Sequence, residues 1–159
     1  MSGDKTTHAA AGDSLASFNL QDAPGHLLRR CQQLAVDLYT AEVGSNGLTP
    51  RQFALLLAIY QNSGISQVDL VRQTGIDRST VAEMVARLIK RGLLVRQRTE
   101  TDRRTNALAV TPDGEKQLRA AQPGVMRSQD RILEPLSPAK RADFIALLRQ
   151  LVETLEQRG

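Results

Sequence analysis

Residues 77–114, DRSTVAEMVARLIKRGLLVRQRTETDRRTNALAVTPDG, decide the fold. Asp77 can accept from backbone N–H groups at a helix start and Gly92 stands where a helix closes, so the spacing predicts a helix to about Arg91. At about 100° per residue, Val81, Met84, Val85 and Leu88 fall on one side of that helix. Arg78, Ser79, Ala82, Glu83, Ala86, Arg87 and Lys90 share the other. One side is suited to burial and the other to presentation. Residues 93–97 and 105–110 then read as two strands around a charged tip, 98–104, which is a β-hairpin wing. Thr111-Pro112 restarts a helix with an N-cap and a proline at the first helical position.

Working outward, Ser66-Gln67-Val68-Asp69 has the form of a capping box, opening a helix of about nine residues that stops at Thr74-Gly75. Two short helices joined by a tight glycine-containing turn form a helix-turn-helix. Thr49-Pro50-Arg51-Gln52 is another capping box, opening a helix through about Gln61 whose apolar density predicts burial nearly all round. Leu27, Leu28, Cys31, Leu34, Ala35 and Leu38 recur at three and four after Pro24, an amphipathic helix that ends before Gly44. Pro123-Gly124 is expected to kink or interrupt the penultimate helix, and Ser137-Pro138 opens the last. The expected fold is mainly α: six helices, with a winged helix-turn-helix and its two-stranded wing over residues 48–111. A helical dimerisation region is expected from 24–47 and 112–159, and a flexible arm over 1–23. The apolar stripe Ile132, Leu133, Leu136, Ile145, Leu148, Leu151, Val152 and Leu155 exceeds what two lone terminal helices can shelter, so a second copy should cover it.

The 159 residues hold one cysteine, two histidines and no tryptophan, too few ligands for a disulfide scaffold or a Cys/His metal cluster, and no cofactor is expected. The longest apolar run, Phe53 to Tyr60, falls far short of the ~18 residues that span a bilayer, and no apolar leader is visible, which places the protein in the cytoplasm. No phosphate-binding, nucleophile-elbow, zinc-protease or dinucleotide motif occurs, so an enzyme is not expected. The net charge is +4, and residues 72–104 carry nine basic against four acidic side chains, a surplus of five. The positive charge is therefore local, and a polyanion is its natural partner.

Small residues at Ser79, Ala82 and Ala86 let a helix approach the floor of a major groove, and Arg78, Arg87 and Lys90 at its edges reach phosphates. The candidate double-stranded DNA contacts on the helix are Arg78, Ser79, Thr80, Ala82, Glu83, Arg87 and Lys90. Arg98, Arg103 and Arg104 form a basic wing tip suited to a minor groove or to phosphates, with Asp102 able to pair with Arg104.

These residues resemble a family. The 77–114 block is similar to the recognition helix and wing of the MarR family of winged-helix regulators, including its D-x-R wing signature at Asp102 and Arg104, and LTPRQFALLLAI, residues 48–59, resembles its second helix. The resemblance covers about residues 24–158. It implies a homodimer built by the first, fifth and sixth helices that binds a pseudo-palindromic operator and represses nearby genes. The sequence departs from many members at Glu83, where they carry a basic residue. This carboxylate either accepts from a cytosine amino group or pairs with Arg87 at i,i+4.

The resemblance also implies a small-molecule effector, an aromatic acid or an aryl-CoA thioester. His26, Arg29, Arg30, Tyr39 and Phe53 are the candidate contacts, Arg29 and Arg30 for an ester's phosphates and Tyr39 and Phe53 for a ring. Each has an ordinary surface or core reading as well. The alternative is redox sensing through Cys31, as in peroxide-sensing relatives with a cysteine on the first helix. Here that cysteine follows two arginines and lies closer to helix 2.

Overall fold

A computed structural model describes Leu15 and residues 17–45, 47–99 and 102–157, with the side chains of 98, 99 and 102–106 outside the description. The helices are α1 (Pro24–Val43), α2 (Pro50–Gln61), α3 (Gln67–Thr74), α4 (Arg78–Lys90), α5 (Pro112–Leu133) and α6 (Pro138–Glu156), with β1 (Leu94–Thr99) and β2 (Asp102–Val110) between α4 and α5. The chain divides into two compact units, Met1–Leu34 and Ala35–Gly159. In the first, a 3-10 turn (Leu20–Asp22) is capped by the Asn19 side chain, and α1 begins at Pro24. Leu27, Leu28 and Leu34 are exposed there. Most of the expected arm, residues 1–14 and 16, lies outside the described residues.

In the second unit, local chemistry sets each helix start. Thr49 accepts from the Gln52 amide while the Gln52 side chain accepts from the Thr49 amide, a complete capping box. Ser66 makes only half of one. Its hydroxyl caps the Asp69 amide, but the Asp69 carboxylate accepts from that hydroxyl at 2.7 Å rather than from the Ser66 amide. Asp77 and Thr111 cap α4 and α5. The turn between α3 and α4 passes through Gly75 at φ +64°, a left-handed conformation in which a side chain would meet the backbone.

The core gathers Leu55, Leu56 and Ile59 from α2, Leu70 from α3, Val81, Val85 and Leu88 from α4, Leu94 and Leu108 from the hairpin, and Leu118 from α5. Each such side chain contributes about 1.5–3 kcal/mol by leaving water. The expectation that α2 is buried nearly all round is corrected, since Arg51, Ala54, Tyr60 and Gln61 are exposed. The helix is apolar around most of its girth because its less buried side faces a cavity.

Two other expectations are revised. The antiparallel strands run longer than expected, with Leu94 paired to Val110, Arg98 to Asn106 and Thr99 to Asp102 across an irregularity. Arg98, Arg103 and Arg104 therefore fall within the strand ranges, with Arg98 paired to Asn106 and Arg103 and Arg104 at the irregularity between that pair and Thr99–Asp102, in a segment whose charge suggested a loop. The second concerns the interruption allowed for in α5, which instead continues as one helix from Pro112 to Leu133 with Pro123 inside it. A Cβ added at Gly124 would stand 2.5 Å from the Glu42 carbonyl oxygen, so this glycine lets α5 lie directly against the end of α1.

Charge fixes the same contact. Arg127 Nε donates to Glu42 Oε2 at 2.8 Å and Arg131 Nη1 to Oε1 at 3.0 Å. The hydrogen bonds from Arg127 and Arg131 hold the Glu42 carboxyl below its ordinary range. A carboxylate with a depressed folded-state pKa stabilises the fold above its unfolded pKa, and that contribution disappears as pH falls through the folded value. The urea midpoint of Glu42→Gln should thus lie below that of the parent at pH 7, with the gap closing as pH drops below about 4. A gap independent of pH would detach this carboxylate from the stability of the α1–α5 contact.

Candidate functional site

Burial fixes the rotation of α4. Val81, Met84, Val85 and Leu88 are buried, which leaves Arg78, Ser79, Ala82, Glu83, Ala86, Arg87 and Lys90 exposed and Thr80 half-buried. The presented face is the one the periodicity selected. At its N-terminal edge Ser79 Oγ donates to Asp77 Oδ1 at 2.6 Å and the Thr80 amide to the same oxygen at 2.9 Å. Those bonds, the Ser79 one foremost, hold the Asp77 carboxyl well below the usual carboxylate range, so it stays an ionised cap. Glu83 and Arg87 approach to 3.9 Å, a loose exposed pair. The side chains of Arg98, Arg103 and Arg104 lie outside the described residues.

A second feature lies between α2 and α5. A cavity of about 420 Å³ is lined by Phe53, Leu57, Tyr60 and Gln61 from α2 and by Glu115, Leu118, Arg119, Gln122, Val125 and Met126 from α5. That volume is within the ~300–1,000 Å³ usual for small-molecule sites. At its polar end Arg119 Nε donates to Glu115 Oε1 at 2.9 Å, and Arg119 Nη2 donates to the Tyr60 hydroxyl at 3.3 Å. Bonding to Glu115 raises the Arg119 pKa further. An apolar chamber whose polar end holds the Arg119–Glu115 pair and the Tyr60 hydroxyl suits a flat ring bearing a polar or acidic group that can share the Arg119 guanidinium.

Of the expected effector contacts, Phe53 is on this cavity. Tyr39 is buried and its hydroxyl donates to the Leu48 carbonyl at 2.8 Å, so it anchors the loop before α2, and burial pushes its hydroxyl up to about 12. His26, Arg29 and Arg30 belong to the first unit. His26 is half-buried, both arginines are exposed, and Arg29 Nη2 stands 3.5 Å from His26 Nδ1. Sequence reasoning missed Tyr60, Glu115, Arg119 and Met126. Only the i,i+4 spacing of Glu115 and Arg119 hinted at a pair, and nothing in the sequence brings α5 to α2.

The MarR family model matches residues 46–105. HosA of Escherichia coli O157:H7, a transcriptional regulator, is 36% identical, over 86% of this chain and 100% of its own. The chain belongs to the MarR family. It is a transcriptional regulator of that type, mainly helical with a two-stranded wing. Among solved structures, BpsR of Bordetella bronchiseptica, whose DNA binding is regulated by 6-hydroxynicotinic acid, superposes with a TM-score of 0.80 at 32% identity, covering 85% of this chain and 96% of BpsR. The transcriptional repressor CouR on a 23-mer DNA duplex superposes with a TM-score of 0.76 at 32% identity, covering 84% of this chain and 94% of CouR. CouR has also been solved with p-coumaroyl-CoA. No helix among the described residues of this MarR-family chain is long and apolar enough to cross a membrane.

Ala82 is at the centre of the exposed face, so Ala82→Leu should leave thermal stability unchanged and weaken specific DNA binding about tenfold or more in a fluorescence anisotropy titration. Unchanged affinity and base preference would place a different face in the groove.

Proposed function

We propose that this protein is a homodimeric repressor that binds a pseudo-palindromic operator and is released by a small aromatic acid or its CoA thioester. The observation that carries the reading is the division of α4, one side buried and the other free of obstruction, rich in small residues and edged by Arg78, Arg87 and Lys90. A helix so presented enters a major groove with its cations on the phosphates. Arg98, Arg103 and Arg104 of the wing are the proposed contacts beside it.

Dimerisation is supported by α6. Ile145, Leu147, Leu151, Val152 and Leu155 are all exposed in the single chain, an apolar surface that a second copy would cover. Two recognition helices then meet successive major grooves about 34 Å apart.

For the effector, the α2–α5 cavity offers Phe53, Leu57, Leu118 and Met126 to a ring and Arg119 to its acidic group. The ligands of BpsR and CouR support this chemical class. Arg29 and Arg30, exposed and cationic, are the proposed contacts for the phosphates of an ester, with His26 beside them. Release follows if the ligand prefers a spacing of the two helices that the duplex does not. Redox sensing would rest on Cys31, which is exposed and is the chain's sole cysteine, so no disulfide can close within one chain.

Calorimetry with 6-hydroxynicotinic acid, a phenylpropenoic acid and the CoA ester of the latter tests the reading. Arg119→Ala should weaken binding of the acids about tenfold or more, the loss expected for a charge-assisted hydrogen bond. Replacing Arg29 and Arg30 together by Ala should weaken the ester alone. Acid binding unaffected by Arg119→Ala would remove this cavity as the effector site.

A further inference from the structure

The carboxylate of Glu83 lies on the face of α4 that is proposed to approach a polyanion, where a negative charge is costly unless something on the duplex repays it. Its neighbours do not use it up. Asp77, the other acidic group at this end of the helix, is committed to the Ser79 hydroxyl and the Thr80 amide. Glu83 has Arg87 at 3.9 Å, near the limit of an ion pair, with the two side chains 74% and 66% exposed. Such a pair is weak in water and yields readily to better partners. Ser79, Ala82 and Ala86 around it are small, so the Glu83 side chain projects beyond the surface they form.

The major groove supplies few donors for a carboxylate. The cytosine N4 amino group is one that Asp and Glu accept from, whereas guanine offers two acceptors suited to Arg. Glu83 and Arg87 are four residues apart on the same side of the helix, about 6 Å along its axis. That separation matches one to two base-pair steps, so a carboxylate and a guanidinium so placed meet neighbouring donor and acceptor edges. We propose that Glu83 is a specificity-determining residue that reads a cytosine in each half-site, while Arg87, freed from it, donates to an adjacent guanine. This rests on α4 being the helix that enters the groove.

The test is selection of bound duplexes from a random pool by the parent protein, Glu83→Ala and Glu83→Gln, followed by anisotropy titrations on single-base variants of the selected site. The parent should select one fixed cytosine in each half-site and lose about 5- to 100-fold in affinity when it is replaced. In Glu83→Ala that discrimination should fall below about twofold while binding to the other positions is kept, and Glu83→Gln should shift the preference at that position toward adenine, which Gln pairs with. If Glu83→Ala binds every duplex more tightly with the base ranking unchanged, Glu83 is an electrostatic counterweight to Arg87 and the assignment is wrong. A parent protein with no sequence preference at all would instead overturn the placement of α4 in the groove.

Discussion

Everything in the proposed site depends on how α4 is clamped. Val81, Met84, Val85 and Leu88 are driven out of water against α2, α3 and the hairpin, which leaves the helix a single rotation about its axis. Successive side chains step by about 100°, so a turn of one residue would bury Ala82 and expose Val81. The presented face is thus a consequence of core packing. A large cost attaches to any other orientation, since each buried aliphatic side chain returned to water gives up about 1.5–3 kcal/mol.

The same packing joins the two functional features through α2. Leu55, Leu56 and Ile59 of this helix support the core that holds α4, while Phe53, Leu57 and Tyr60 line the cavity. A ligand filling that cavity acts on a helix that already bears on α3. On the opposite wall, α5 carries Glu115 and Arg119 at the cavity's polar end and, two turns later, Gly124, Arg127 and Arg131 against the end of α1. The proposed effector and DNA sites are therefore linked through the core that α2 shares with α4, and such a link is what differential affinity needs for one site to bias the other.

Much of this was legible in the sequence because it is local. The caps at Thr49, Asp77 and Thr111 are read from residues at most four apart, and the faces of α4 from one period. Errors arose where tertiary contacts override local signals. Pro123 would weaken an isolated helix, yet α5 continues where Gly124 rests against Glu42. The strands extend into a charged segment because backbone pairs form at Arg98–Asn106 and, past an irregularity, at Thr99–Asp102, which the composition does not reveal. The cavity was invisible for the same reason. Tyr60 and Arg119 are 59 residues apart and meet only through helix docking.

The central claim is that the exposed face of α4 sits in the major groove, twice, in one dimer. Methylation interference on a selected operator, with hydroxyl-radical footprinting of the same complex, tests it most directly. The account requires two protected patches on one face of the duplex about one helical turn apart, with guanine N7 methylation in each blocking binding. Protection of the backbone without any N7 interference would show that the protein holds phosphates alone and would contradict it.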